Sequence, residues 1–229
     1  ATTDAGAGAL QALGARLTDG NGNEIARGGG ALIDCASIDL THLDTRLADI
    51  SFMLASDVQN PLLGDHGAAH VFSPQKGASP EQVELLEKSL SHFASLVGGD
   101  CADRAGAGAA GGIGFMAYAF LRATAASGID VILDLVDFDA RSTGADYMIT
   151  GEGRFDSQSI KGKAPWGILQ RAQRDGVPTF LVCGDADTQH GSAFAGIYTL
   201  TSLESDIDKC INNPAPLVKE LGAKIAAHL

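Results

Sequence analysis

The sequence predicts an α/β protein built as two α/β domains, the C-terminal one a partial Rossmann-like parallel sheet with flanking helices. Three observations lead there. The 229 residues are 45% hydrophobic, enough for one large core or two modest ones. Glycine occurs 29 times, and it permits φ > 0 and close approach of backbone to a ligand. From about Asp139 the chain turns to plain strand–helix alternation, the pattern of a parallel sheet with right-handed crossovers. The division this implies is a mixed, glycine-rich domain over 1–140 and the C-terminal part of a Rossmann-like domain over 141–229.

Local signals place the elements in order. Thr3 or Asp4 caps a short helix running to about Leu13, stopped by Gly14. Residues 15–50 alternate apolar stretches with turns and predict short strands and a hairpin. Phe52-Met53-Leu54-Ala55 reads as a buried strand. Ser79, Pro80 and Gln82 then form a capping box with proline at the first helical position. That helix places Val83, Leu86, Leu90, Phe93 and Val97 on one face. A glycine-rich loop from Ala105 to Gly114 leads into a second helix ending near Ser127-Gly128, and Ile129 to Val136 reads as a strand. Beyond it come a strand over 146–150, a helix over 165–175, strands over 179–183 and 197–201, and a final helix from Pro216.

The net charge of −12 argues against a nucleic-acid partner, which needs clustered Lys and Arg. No apolar run reaches the roughly 20 residues of a membrane helix, and no signal peptide is visible. Cys35, Cys101, Cys183 and Cys210 lack CxxC or zinc spacing and read as reduced thiols of a cytoplasmic protein. A homo-oligomer stays open. The chain opens without Met, on Ala1-Thr2-Thr3-Asp4-Ala5-Gly6, which reads as the middle of a loop-to-helix junction. An N-terminal part is therefore expected to be missing.

Four stretches could carry chemistry. Gly151-Glu152-Gly153-Arg154-Phe155-Asp156 follows a strand and reads as a tight loop at the carboxyl edge of a parallel sheet, where ligands bind. Gly184-Asp185-Ala186-Asp187 should share that edge, so carboxylates gather as a magnesium or proton-transfer site requires; the plain alternative is a pair of glycine turns with solvated acids. Lys76 stands just ahead of the helix capped by Ser79, where an N-terminus attracts anions; otherwise it is a surface lysine. Gly106-Ala107-Gly108-Ala109-Ala110-Gly111-Gly112 matches the dinucleotide fingerprint by letter but lacks the preceding strand, leaving a backbone nest for phosphate or carboxylate. Asp57, in a loop after a strand, is a candidate base or a turn cap. His66 and His70 are four apart with Gly67 between them, a poor metal-binding helix. An NAD(P)-linked oxidoreductase and a non-catalytic module for anionic metabolites remain as other readings.

Taken together, the motifs resemble those of the bacterial type 1 glycerate kinase family. The matching pieces are Ala1 to Gly8, Ser56 to Leu62, Val71 to Ala78, Gly106 to Gly112 and Ile149 to Gln158, in that order. The chain departs from the usual pattern at Ala55-Ser56 (Cys or Ala-Cys before Asp-Val), Ser73 (Gly) and Arg104 (Pro). The resemblance implies ATP-dependent phosphorylation of D-glycerate, usually to 2-phosphoglycerate, with ATP and Mg²⁺ as cofactors. It also implies two α/β domains with the active site between them, and a further N-terminal segment carrying the first Rossmann strands and an Asp-Ser-Phe-Lys-Gly loop. Transferred residue by residue, it makes Lys76, Asp57 and Asp156 catalytic candidates. Thr3, Asp4, Gly106, Gly108, Gly111, Gly151, Glu152 and Gly153 become nucleotide contacts, and Glu152 and Asp156 metal ligands. Phosphoryl transfer needs positioning, charge neutralisation and a carboxylate near the attacking hydroxyl, which these residue types supply. The chain by itself is expected to have little kinase activity.

Overall fold

The computed structural model describes residues 2–229, the side chains of 161 and 188–190 excepted; Ala1, which opens the first matching motif, lies outside the described residues. Two compact units divide the chain, Ala1–Ala126 and Ser127–Leu229. The division falls ahead of the expected position near 140.

In the first unit, α1 (Ala7–Ala12) is followed by β1 (Arg16–Thr18), β2 (Ser37–Asp39), β3 (Met53–Ala55), α2 (Ala68–Phe72), α3 (Pro80–Val97), α4 (Ala109–Leu121) and β4 (Thr124–Ala126). The capping box at Ser79 is present as read, with the Ser79 hydroxyl accepting from Gln82 N–H and Gln82 Oε1 from Ser79 N–H. Such a cap is worth about 1 kcal/mol. The apolar stripe of α3 buries Val83, Leu90 and Phe93 and half-buries Leu86 and Val97 in the main core, where Phe93 meets Phe115 of α4 edge to face. β1 and β2 pair antiparallel, Leu17 opposite Ile38. β3 pairs in parallel with β4, but it is not buried: Met53 is 60% exposed. The second helix ends earlier than expected, at Leu121. Arg122 takes a left-handed conformation (φ 54°) there, and the chain straightens into β4 along the open edge of β3.

In the second unit, α5 (Gly128–Leu135), α6 (Phe138–Ser142), β5 (Met148–Phe155), α7 (Ala164–Arg174), β6 (Thr179–Ala186), β7 (Gly196–Thr199), α8 (Ile207–Asn212) and α9 (Pro214–Ala226) follow in order. The strands form one parallel sheet ordered β5-β6-β7. On one face Leu181 and Cys183 pack with Phe155 and with Leu169 of α7. On the other, Val182 and Tyr198 pack with Cys210 of α8 and Leu221 of α9.

Two sequence readings are corrected here. The stretch 129–136, read as a strand, belongs to helix α5. The reason is Arg171 on α7, whose buried guanidinium binds Asp134 at 2.7 Å, Asp139 at 2.9 Å and Asp130 at 3.1 Å. Asp130 and Asp134 can share one cation because a helix puts residues four apart on one face; a strand would spread them. Ile129 also packs against Gly167 of α7, where a methyl group would lie 2.6 Å from it. These ties place 128–142 with the second unit. The other correction concerns the expected tight loop after Thr150, for β5 continues to Phe155. Gly151 pairs with Val182, Glu152 with Cys183 and Arg154 with Asp185, and Gly151 lies so close to the Val182 carbonyl that a side chain would collide. Gly151 thus serves close strand pairing rather than a turn. No helix among the described residues is long and apolar enough to cross a membrane.

Candidate functional site

In the first unit the chain's opening turn, the Lys76 turn and the glycine loop meet. Asp4, 6% exposed, accepts from Thr2 Oγ1 (3.2 Å), Gly6 N–H (3.2 Å) and Gly8 N–H (3.1 Å), which anchors the start of α1. Ala5 and Gly6 stand at φ 53° and 75°, and Ala5 N–H donates to the Gly111 carbonyl at 3.1 Å. Ala110, Gly111 and Gly112 have φ of 52°, 75° and 98°, a left-handed run that favours glycine. A methyl group at Gly111 would sit 3.0 Å from Lys76 Nζ and strike the Thr2 carbonyl.

Lys76 closes the 3-10 turn Pro74–Lys76, and Gly77 at φ 94° turns the chain there. Its ammonium donates to the Thr2 carbonyl at 2.6 Å and to Thr3 Oγ1 at 3.2 Å. Ser73, 1% exposed, donates to the same Thr3 oxygen at 3.1 Å. At the N-terminus of α3, Ser79 Oγ accepts from Gln82 N–H and Gln82 Oε1 from Ser79 N–H, and the Ser79 hydroxyl donates to the Glu81 carboxylate at 2.8 Å. Burial lowers the Lys76 pKa, opposed by the Asp4 charge.

Gly106 and Gly108 do different work from Gly111. The amides of Ala107, Gly108 and Ala109 donate to the carbonyls of Arg104, Asn60 and Gly106, so this half of the loop is a lock and not a nest. Gly106 lies against the Val58 carbonyl and Gly108 against the Asn60 and Pro61 carbonyls, docking the 57–61 loop that carries exposed Asp57. The run also follows turns rather than a strand, so the dinucleotide fingerprint lacks its structural context.

In the second unit the carboxyl ends of β5 and β6 carry the acids. Lys163 Nζ stands 3.7 Å from Glu152 Oε2 and 4.0 Å from Asp156 Oδ1. Glu152 Oε1 is buried without a hydrogen-bond partner. Asp156 Oδ1 accepts from Gln158 N–H at 2.8 Å; that bond, with Lys163 and Arg154 nearby, outweighs desolvation and lowers its carboxyl pKa. Asp185 accepts from Thr201 Oγ1 at 3.2 Å and faces Arg154 Nε at 3.9 Å, and Asp187 N–H donates to the Phe155 carbonyl. The expected acidic cluster is therefore interleaved with Lys163 and Arg154. Among the described residues no group of three or more His, Cys, Asp or Glu is placed to hold a metal ion. Glu152, Arg154, Cys183, Asp185 and Thr201 line a cavity of about 460 Å³ completed by apolar side chains of α8 and α9. The Cys183 thiol there is pushed up to about 11 by burial, then by the Glu152 and Asp185 charges.

Sequence reasoning missed Ser73 and Lys163. Ser73 could have been found as the one departure from the resembled pattern inside the Lys76 motif. Lys163 had no signal beyond its place in Lys161-Gly162-Lys163, seven residues past Asp156.

The pattern of the Glycerate kinase family matches residues 1–229. The chain is 39% identical over 237 residues to a glycerate kinase of Bacillus subtilis, and 39% identical over 237 residues to a glycerate 2-kinase of Escherichia coli; each alignment covers 100% of this chain and 62% of the relative. A solved structure from Salmonella typhimurium LT2, assigned as glycerate kinase 2, superposes with a TM-score of 0.80 at 41% identity, over 99% of this chain and 62% of that one. The chain thus spans about 62% of the length of these relatives.

Proposed function

The chain belongs to the glycerate kinase family, and on that premise we propose that it serves the ATP-dependent phosphorylation of D-glycerate at the 2-hydroxyl, giving 2-phosphoglycerate and ADP. The observation that carries the reading is Lys76. Its ammonium is fixed by two neutral oxygens, the Thr2 carbonyl and Thr3 Oγ1, beside the left-handed turn at Gly111. The oxygens that bind it carry no charge of their own, so the ammonium can receive an anionic group, a phosphate or the glycerate carboxylate. Asp4 serves by shaping the turn that presents Thr2 and Thr3.

Asp57 is the proposed base. It takes the proton of the substrate hydroxyl as that oxygen bonds to the γ-phosphorus and the bond from phosphorus to the ADP oxygen breaks. In the second unit, Glu152 and Asp156 would hold Mg²⁺, and the buried Glu152 oxygen that lacks a donor is the feature that fits a cation. When bound, the ion neutralises phosphate charge. Gly153 leaves that part of the strand open, with no atom within 4 Å of where a side chain would begin. Binding of NAD(P) has no comparable support, because Gly106 and Gly108 are packed against the 57–61 loop.

The test is coupled ADP release by the full-length protein with D-glycerate against a panel of hydroxy acids, with the position of the new phosphate read by ³¹P NMR. Release that is dependent on D-glycerate, with the 2-phosphate as product, is expected. Equal release with any hydroxy acid, or a 3-phosphate product, overturns the substrate or regiochemical part.

A further inference from the structure

His70 lies on α2, and its ring is tied to the loop that docks on the glycine turn. Nδ1 lies 3.1 Å from the Gly64 carbonyl and 3.6 Å from Glu87 Oε2, and Nε2 lies 3.4 Å from Glu84 Oε1. Every one of these partners is an acceptor. A neutral imidazole donates from one nitrogen and presents a lone pair at the other, which here would face a carboxylate or a carbonyl. Only the imidazolium satisfies both sides. Glu87 gives an independent sign: its Oε1 accepts from Gly64 N–H at 2.7 Å, while its buried Oε2 has no hydrogen-bond partner. A buried oxygen left so is costly unless a cation stands by, and the His70 ring faces it.

The charged groups facing the ring are Glu84 and Glu87, both from α3. Besides α3, the elements that pack most extensively on α2 among the described residues are α4, whose titratable side chain is Tyr118, and the Pro74–Lys76 turn. The Tyr118 hydroxyl is bound to the Ala105 carbonyl and Lys76 to Thr2 and Thr3. From Gly64 the tie runs to the site through the loop. Asn60 Nδ2 donates to the His66 carbonyl at 2.8 Å, and the Asn60 carbonyl accepts from Gly108 N–H at 3.0 Å.

We propose that His70, as an imidazolium clipped between Glu84 and Glu87, is a positioning residue: it pins the 60–67 loop and, through the Asn60 carbonyl, holds the glycine turn in place beside Lys76. The order of that turn then falls as pH rises through the His70 titration. Burial pulls the imidazolium down, but the Glu84 hydrogen bond, the Gly64 carbonyl and the Glu87 charge outweigh it, so its pKa is raised. A raised folded-state value means that the clip is complete below the ordinary histidine value of about 6.5 and is lost as pH passes through the folded value.

The consequence for turnover rests on the kinase reading; the clip itself does not. The experiment follows the His70 ring and backbone amide exchange by NMR across about pH 5.5–8.5, with the Gly98 amide at the end of α3 as the control for intrinsic exchange. Protection of the Gly64 and Gly108 amides should fall about tenfold or more relative to Gly98, with the midpoint of the His70 ring. Glu87→Gln should move both midpoints together to lower pH, and His70→Gln should remove the pH dependence. The clip is overturned if the ring titrates while Gly108 protection tracks the control, a comparison made in the unmodified protein and so independent of whether the variants fold. It is also overturned if Glu87→Gln leaves the His70 midpoint in place. ADP release by the full-length protein should share the midpoint. Coupled exchange without turnover at any pH supports the clip and sinks the kinase reading, and turnover with uncoupled exchange does the reverse.

Discussion

The two units each hold a lysine among oxygens, and the two lysines do opposite work. Lys76 in the first unit is bound by a carbonyl and a hydroxyl, while the nearby Asp4 carboxylate is taken up by the Gly6 and Gly8 amides. Its charge is left for a ligand. Lys163 in the second unit lies between the carboxylates of Glu152 and Asp156, so its charge is compensated at once and it organises the acids around it. The same residue type is an anion receptor where its partners are neutral and an internal counter-ion where they are charged.

The contrast is broken most directly at Lys76. Lys76→Met should leave the fold intact, costing about 1 kcal/mol for the lost bonds to Thr2 and Thr3, and lower turnover of the full-length protein by about 10²–10³, the usual worth of a positioned charge at a developing anion. A loss below about fivefold would place the anion elsewhere. Asp156→Asn comes next. It should lower kcat by about 10², close to 2.7 kcal/mol, and raise the magnesium requirement. Stability should hardly change, because the new amide oxygen can still accept from Gln158 N–H. Loss of fold with kcat spared would make Asp156 a turn cap alone.

Smaller effects sharpen the comparison. Ser73→Ala removes one of the two donors on Thr3 Oγ1 and should cost about 1 kcal/mol in chemical denaturation, with turnover falling less than that of Lys76→Met. An unchanged denaturation midpoint would show that Thr3 needs no second donor. The smallest is a pH effect. The Asp156 carboxyl is held below its ordinary value by the Gln158 amide, with Lys163 beside it. Its stabilising part is therefore complete above the ordinary carboxylate value, about 3.9, and is lost as pH falls through the lower folded value. The acid limb of stability should flatten slightly in Asp156→Asn between those values; an identical limb would discharge Asp156 from any role in acid sensitivity.

Legibility in the sequence followed the range of the interactions. Ser79-Pro80-Glu81-Gln82 announced the start of α3, since a capping box is written within four residues. The stop at Gly14 was legible for the same reason, and it stands at positive φ. The family motifs were legible because several short runs occur in a set order. The helix over 128–135 was not, because its apolar run suits strand or helix equally and the deciding partner, Arg171, comes 41 residues after Asp130. β5 ran past its expected end because β6 supplied the ladder. The grasp of Lys76 on Thr2 and Thr3, 74 and 73 residues earlier, had no local trace either.

By itself, then, the sequence determined the α/β class, the Ser79 cap of α3 and the residues from which an anion site could be made, whereas the N-cap position of α1 is Gly6 and not Thr3 or Asp4. Tertiary structure alone decided which lysine has neutral partners and which lies between carboxylates, which glycines turn the chain and which pack it, and where the two units divide. Those outcomes depend on partners that only long-range chain closure brings within a few ångströms, where hydrogen bonds and desolvation act.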